Sequence, residues 1–215
     1  MVFGIVMMAA MVPTMIGVNE ATKGTRDHEE QRRKNARAQR SHLLVQCPSY
    51  EGPLHQRMAV HNAQVYLGAD GKVYITKSNC PQLSLFNGGF YPHPDFPPDN
   101  TAGFVTISGE TPPTLRWLYV DSETHEVRWG GRQESQGHVC GPFDWTKDEA
   151  RVTLEGWEGW LAVRLPRDEM YAKELGMEDT KGLWRLYFDQ NDDGADLLPN
   201  AEVLEVTLNR TMAES

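Results

Sequence analysis

The stretch Val65-Tyr66-Leu67-Gly68-Ala69-Asp70-Gly71-Lys72-Val73-Tyr74-Ile75-Thr76 predicts a β-hairpin. Its two arms are rich in β-branched and aromatic residues, which favour strands. Asp70-Gly71 lies between the arms, and tight hairpin turns prefer an Asp-Gly pair at this position. The chain around residues 65–76 is therefore expected to be antiparallel β-structure.

Similar short runs continue towards the end of the chain. Leu115–Val120 and Glu126–Trp129 predict a second hairpin. Further strands are expected at Arg151–Glu155, Trp160–Leu165, Leu183–Phe188 and Val203–Leu208. Runs at roughly ten-residue spacing, separated by turn residues, are typical of sandwiches and barrels. We therefore predict that residues 41–215 form one mainly β domain, an antiparallel sandwich or barrel.

Two stretches interrupt this pattern. Phe90–Asn100 contains four prolines and is expected to be a rigid surface loop. Arg167–Thr180 is highly charged and predicts one exposed helical turn or a loop. Neither stretch changes the prediction of a single β-rich domain.

Residues 1–40 predict a helical arm ahead of this domain. Met1–Val18 carries no charge, whereas Lys23–Arg40 is rich in Arg, Gln, Glu and Ala, which suit a solvated helix. The apolar start could anchor the chain to a membrane, pack on its own domain or a second copy, or act as a secretory signal. If it spans a bilayer, the basic residues that follow favour a cytosolic body.

The acidic balance of the body excludes broad nucleic-acid binding. The whole chain carries a formal charge of −9, and residues 41–215 hold 14 Lys/Arg against 26 Asp/Glu, a charge of −12. Such a surface repels phosphate backbones. Three widely spaced cysteines, Cys47, Cys80 and Cys140, do not suggest a disulfide scaffold, and this favours a cytoplasmic protein over a secreted one.

Asp189-Gln190-Asn191-Asp192-Asp193-Gly194 resembles the first half of a calcium loop. Asp189, Asn191 and Asp193 would supply three oxygens at alternate positions, which makes them candidate metal ligands. The twelfth position of such a loop is Asn200, not Glu, and strands are predicted on both sides. An Asp/Asn/Gly turn without an ion explains the same residues. Calcium is the one cofactor that the sequence suggests.

Trp157 and His93 are candidate ligand-binding residues. Gly156-Trp157-Glu158-Gly159 predicts a tight bend that exposes the Trp157 ring. Most of the other tryptophans alternate as core residues do: Trp117 shares a strand face with Leu115 and Tyr119, and Trp184 shares one with Leu186 and Phe188. His93 lies in the proline-rich loop beside Asp95.

No catalytic signature stands out. His138 lies two residues before Cys140, and a hydrolase would need both to meet His93 or Asp95 in one pocket. The chain contains no nucleophile elbow, no HExxH and no phosphate-binding glycine loop. We therefore predict no catalytic residues.

Several stretches resemble a family of small uncharacterised proteins from filamentous fungi. They are Met11-Val12-Pro13-Thr14, Gln64-Val65-Tyr66-Leu67, Gly71-Lys72-Val73-Tyr74-Ile75-Thr76-Lys77, Gly141-Pro142-Phe143-Asp144-Trp145-Thr146, Leu154-Glu155-Gly156-Trp157-Glu158-Gly159-Trp160, and Tyr187-Phe188-Asp189-Gln190-Asn191-Asp192-Asp193-Gly194. The likeness covers most of the chain. It implies a eukaryotic setting and no particular substrate.

These observations predict a non-enzymatic binding or interaction protein. Its attachment to a protein partner, to a second copy or to a membrane would use residues 1–40, with the body in the cytoplasm. The alternatives are a secreted, calcium-dependent, lectin-like domain and a small hydrolase.

Overall fold

A computed structural model describes residues 25–48, 52–97, 102–107, 114–195, 197 and 200–213. The chain divides into two compact units after Ala38. In the first unit, residues 25–38 form a helix, α1, in which the Gln31 amide donates to Asn35 at 3.0 Å. The predicted apolar start, Met1–Val18, lies outside the described residues. Among the residues described, no helix combines the length and the apolar character that crossing a membrane requires.

The strands of the second unit follow one another in three groups, each made of a strand, a hairpin and a returning strand, and the first group contains one additional strand of two residues. The first group is β1 (Ser41–Gln46), β2 (Ala63–Leu67), β3 (Val73–Thr76), β4 (Ser84–Leu85) and β5 (Gly88–Tyr91). The second is β6 (Gly103–Ile107), β7 (Leu115–Val120), β8 (Val127–Gly130) and β9 (Phe143–Trp145). The third is β10 (Val152–Leu154), β11 (Trp160–Arg164), β12 (Trp184–Phe188) and β13 (Glu202–Met212).

Short helices lie in the connections between these strands. They are α2 (Leu54–Val60), α3 (Arg132–Ser135), α4 (Asp168–Glu174) and a 3-10 turn at Thr180–Gly182. The helix α2 follows the first strand of its group, whereas α4 lies inside the third hairpin.

The first and last strands of the groups close into an antiparallel ring. Strand β1 pairs with β13 from Ser41↔Met212 to Gln46↔Thr207, and it also meets β5 and β2. Strand β5 pairs with β6, and β9 pairs with β10. The amide of Phe143 donates to Ala102 at 2.7 Å, and a bridge joins Arg151 to Asn209. A closed ring leaves few exposed strand edges. The predicted mainly β fold is confirmed, and the barrel is the architecture observed.

Each of the three hairpins is hydrogen-bonded to the other two. Strand β3 of the first hairpin pairs with β12 of the third. A bridge from Lys72 to Arg128 joins the first hairpin to the second, and one from Glu126 to Tyr187 joins the second to the third. The two predicted hairpins are both present, at β2–β3 and β7–β8.

Aromatic side chains from all three groups fill the interior. The ring of Phe104 lies 5.2 Å from that of Phe86, 4.9 Å from Phe90 and 5.6 Å from Phe143, measured between centroids. Trp160 continues this cluster to Phe188 at 4.9 Å. Burial of such rings is a main source of folding free energy.

The alternation of strand β12 was predicted correctly, but that of β7 was wrong. Trp184, Leu186 and Phe188 are buried together in the main core, as expected. On β7 the sequence predicted that Leu115, Trp117 and Tyr119 face the core, yet Leu118 and Val120 occupy it and Leu115 is exposed. Both faces of β7 carry apolar residues, so a period of two does not decide which face is inside.

The charged stretch Arg167–Thr180 was predicted as an exposed turn or loop. It contains the helix α4, whose side chains contact the strands of the hairpins. Asp168 at its start is fully buried, and its carboxylate lies 2.5 Å from the guanidinium of Arg185 on β12. Arg185 also lies 2.9 Å from Glu126. The ring of Tyr171 stacks on that of Tyr74 at 5.4 Å. The insertion therefore packs on the hairpins.

Candidate functional site

Trp157 is held by a tight turn between β10 and β11. The amide of Trp157 donates to Leu154 at 3.2 Å, and Leu154 donates back at 3.1 Å. Glu155 and Gly156 supply the positive φ angles of 54° and 88° that the turn requires. The half-buried indole meets Phe188 edge-on at 5.7 Å. A Cβ at position 159 would lie 2.4 Å from the indole, so only glycine fits beneath the ring.

Trp157 lines two cavities, and a third adjoins them. Their volumes are about 190, 410 and 420 Å³. The first two share Trp157 and Glu158, and the first and third share Asp189, Asp192 and Glu205. We call these three cavities together the Trp157 groove. Concave sites of a few hundred Å³ with an aromatic wall and a few polar groups are typical ligand sites.

The Trp157 groove is acidic. Carboxylates from four different connections and strands line it, whereas Lys147 is the cation among its described lining residues. The groove carboxylates are Asp144, Glu158, Asp189, Asp192 and Glu205. Glu158 is 3.0 Å from Arg151, so its charge is partly balanced. The remaining negative charge disfavours an anionic ligand.

Asp189 shapes the wall of the groove next to Trp157. Its carboxylate accepts backbone amides from Asp193 at 3.0 Å and from Gly194 at 2.7 Å. Burial tends to raise the pKa of Asp189, but these amides stabilise the charged form and hold the pKa below its ordinary value. Asp189 is therefore an ionised carboxylate whose oxygens organise a turn.

The predicted metal ligands do not form an acidic cage. Asp193 accepts the amide of Ala195 at 3.2 Å, and Asn191 is exposed to solvent. Within the described ranges, no three His, Cys, Asp or Glu side chains lie close enough to hold a metal ion. Hydrogen bonds from backbone amides to the Asp189 and Asp193 carboxylates account for the shape of this turn. Calcium binding here stays a prediction.

His93 lies in a different place from Trp157. Its ring is almost buried, edge-on to Trp117 at 4.6 Å and to Phe96 at 5.7 Å. Burial lowers its pKa, although the Asp95 carboxylate at 3.8 Å works in the other direction. His93 does not line the Trp157 groove, so the structure does not bring the two candidate ligand-binding residues together.

The side chains of the predicted hydrolase alternative engage other partners. Cys140 is buried, and its thiol donates to the carbonyl oxygen of Ser135 at 3.1 Å. Burial raises the pKa of that thiol, which opposes formation of the nucleophilic thiolate. The ring of His138 instead meets the Ser122 hydroxyl at 3.3 Å and stacks on Tyr119. Neither Cys140 nor His138 lines the groove. None of the three cysteines, all of which the structure describes, forms a disulfide.

Four of the five groove carboxylates were not predicted as site residues: Asp144, Glu158, Asp192 and Glu205. Glu205 lies on β13 between the buried Leu204 and Val206, so strand alternation already pointed it outward. Asp192 lies inside the turn that was considered only as a calcium loop, and its φ of 57° is the left-handed value that Asp tolerates. Asp192 and Glu205 lie close together because β11 pairs with both β12 and β13. Local sequence patterns do not reveal this pairing.

Comparison with known proteins identifies the fold family. Residues 17–214 match the family model described as a fungal beta-trefoil domain. Neither the curated proteins nor the solved structures contain a significant match to this chain. The predicted resemblance to a fungal family is thus confirmed. Three successive groups of strand, hairpin and strand around a closed barrel are what a trefoil requires, and the chain belongs to the fungal beta-trefoil domain family.

Proposed function

We propose that the protein is a non-enzymatic carbohydrate-binding protein and that the Trp157 groove is its binding site. The observation that carries this proposal is the position of the Trp157 ring, which forms a wall shared by two cavities in an acidic, open groove. An indole offers a flat apolar face and a polar edge. Sugar rings have a matching surface, with C–H groups on their faces and hydroxyls around the rim.

The groove also offers acceptors for those hydroxyls. Asp192 and Glu205 are exposed and line the same cavities, whereas Asp189 already uses its oxygens to hold the turn. Carboxylates accept hydroxyl protons strongly, because charge-assisted hydrogen bonds exceed neutral ones. The net negative lining favours neutral sugars over sulfated or uronic acid chains.

The chemistry of the groove favours binding over hydrolysis. Glycoside hydrolysis requires a carboxylic acid whose pKa is raised, so that it can protonate the leaving group. Asp189, the groove carboxylate nearest the core, has its pKa shifted in the opposite direction. The trefoil family assignment supports a binding role as well, since it suggests a lectin-like fold.

A glycan array followed by calorimetry tests this proposal. We expect the full chain to bind one or more neutral oligosaccharides. Trp157→Ala should weaken binding at least about tenfold, which corresponds to about 1.4 kcal/mol. Asp192→Ala and Glu205→Ala should each weaken it as well, because a sugar hydroxyl loses its acceptor. Met170→Ala, on the 67% exposed Met170 of α4, serves as the control and should bind normally.

Two outcomes would reject the proposal. One is an array with no neutral glycan above background, and the other is unchanged affinity in the Trp157→Ala variant. Repeating the titration with a chelator tests the secreted, calcium-dependent alternative separately. Loss of binding in the chelator would support an ion at Asp189, Asn191 and Asp193, and unchanged binding would support a groove that acts without it.

A further inference from the structure

A further cavity lies beside α2 and adjoins the Trp157 groove, with which it shares Cys47 and Pro48. Its volume is about 390 Å³, which is within the range of small-molecule sites. It lies in the connection between the first strand and the hairpin of group one, as the Trp157 turn does in group three. The connection between the first strand and the hairpin therefore lines a cavity in two of the three groups.

One face of α2 lines this cavity. Leu54, Arg57 and Met58 follow the spacing i, i+3 and i+4, which puts them on one side of the helix, and His61 joins them from the residue that ends it. Leu54 and Met58 are each 63% exposed, whereas Val60 is the residue of α2 that enters the core. The apolar side chains of this helix therefore face the open cavity, where an apolar group could pack on them.

The same cavity is basic. Arg57 and Lys77 line it, and its described lining contains no carboxylate. The Lys77 ammonium donates to the carbonyl oxygen of Met58 at 2.5 Å, and this hydrogen bond keeps the positive charge of Lys77 next to α2. The Nδ1 atom of His61 accepts the amide of Cys47 at 3.4 Å, so the ring proton lies on Nε2 as a further donor. This basic lining contrasts with the acidic groove and with a body of charge −12.

We propose that this cavity binds a small molecule with an anionic head group and an apolar tail. Arg57, Lys77 and His61 would hold the head group through charge and hydrogen bonds. Leu54 and Met58 would cover the tail, which removes apolar surface from water on both sides. In an otherwise acidic molecule, the two cations select the ligand by the sign of its charge. The proposal concerns a different ligand from the carbohydrate proposed for the adjoining Trp157 groove and does not rest on it.

Calorimetry with matched amphiphiles tests the proposal on the full chain. Sodium decanoate, kept below its micelle concentration, should bind saturably with one site, and added salt should weaken it. Decyltrimethylammonium bromide has the same chain with a cationic head and should show no binding. Sodium acetate and inorganic phosphate, which lack the tail, should bind at least about tenfold more weakly than decanoate.

Three variants place the site. Arg57→Gln combined with Lys77→Gln should lower decanoate affinity at least about tenfold. Met58→Glu should do the same, and its exposed position keeps the fold intact should the double variant not fold. Lys173→Gln removes an exposed cation of α4 that lines neither this cavity nor the Trp157 groove, and it should bind decanoate normally. Equal binding of both amphiphiles, phosphate binding as tight as decanoate, or unchanged affinity in Met58→Glu would overturn the proposal.

Discussion

Asp189 holds its turn by accepting two backbone amides with one nearly buried carboxylate. Asp189→Ala leaves the amides of Asp193 and Gly194 without their acceptor. We expect the free energy of unfolding to fall by about 1–3 kcal/mol. Asp189→Asn keeps one acceptor oxygen and should cost less. Chemical denaturation of the three proteins at pH 7 measures the difference, and equal stability of Asp189→Ala and wild type would contradict this role.

The same carboxylate makes the contribution depend on pH. Its pKa is lower in the folded protein than in the unfolded chain, so the stabilisation is fully present above the unfolded value of about 3.9. It is lost as the pH falls through the folded pKa. The stability gap between wild type and Asp189→Ala should therefore be constant near neutrality and shrink in acid. If the stability difference between wild type and Asp189→Ala instead widened in acid, the prediction that the pKa of Asp189 is lowered in the folded protein would be wrong.

The residues of the site were partly predictable. Trp157 stood out because glycines flank it and because it does not alternate with core residues. Asp189 stood out as part of an oxygen-rich turn, although in the structure its carboxylate accepts hydrogen bonds from backbone amides. His93 was grouped with Trp157 only because both lie in loops, and it packs on Trp117 instead. Loop residues carry no periodicity from which their neighbours can be inferred.

The element α4 depends on a buried ion pair more than on its own sequence. Arg185 of β12 is 3% exposed and lies between Glu126 and Asp168. Arg185→Met would leave both carboxylates buried without their cation, so we expect a loss of about 3–5 kcal/mol in unfolding free energy. Adding Glu126→Gln and Asp168→Asn should recover part of it. Thermal and chemical unfolding measure the effect.

Lys173→Met supplies the matched control, because it removes a cation from the exposed side of the same helix. Its effect should stay within about 0.5 kcal/mol. If Arg185→Met is no more destabilising than Lys173→Met, the buried contacts of Arg185 with Glu126 and Asp168 do not hold α4 in place.

Elements with a clear alternation were predictable, and those that depend on distant partners were not. The hairpin at residues 65–76 and strand β12 were correct because a single pattern accounts for each. The stretch with α4 shows few apolar residues, and its buried Asp168 becomes interpretable only beside Arg185. Strand β7 is apolar on both faces, so only its neighbours decide its orientation.

At the scale of the whole molecule, the barrel was one of two predicted architectures, but the three groups were not foreseen. The groups differ in length and in their insertions, such as α2 in the first and α4 in the third. Their equivalence lies in strand pairing, above all that of β1 with β13. Contacts so far apart in sequence leave no local repeat.

The division after Ala38 gives a test of the arm. A chain that begins at Gln39 should unfold cooperatively, with a midpoint close to that of the full chain, because the barrel strands and their core lie in residues 41–212. If residues 1–40 carry self-association or membrane attachment, sedimentation of the shortened chain should show a monomer that no longer pellets with vesicles. Circular dichroism supplies the control for folding. A shortened chain that fails to fold would contradict the division.

The pairing of β1 with β13 also bears on how the protein is made. Residues 41–46 find their main partner in residues 207–212, so a growing chain holds its first strand without that partner until residue 212 has left the ribosome, although β2 and β5 can meet β1 earlier. Until then the aromatic interior stays open to water, and chaperones have a long window in which to bind it. The pairing of β1 with β13, more than any early hairpin, sets the moment at which the barrel closes.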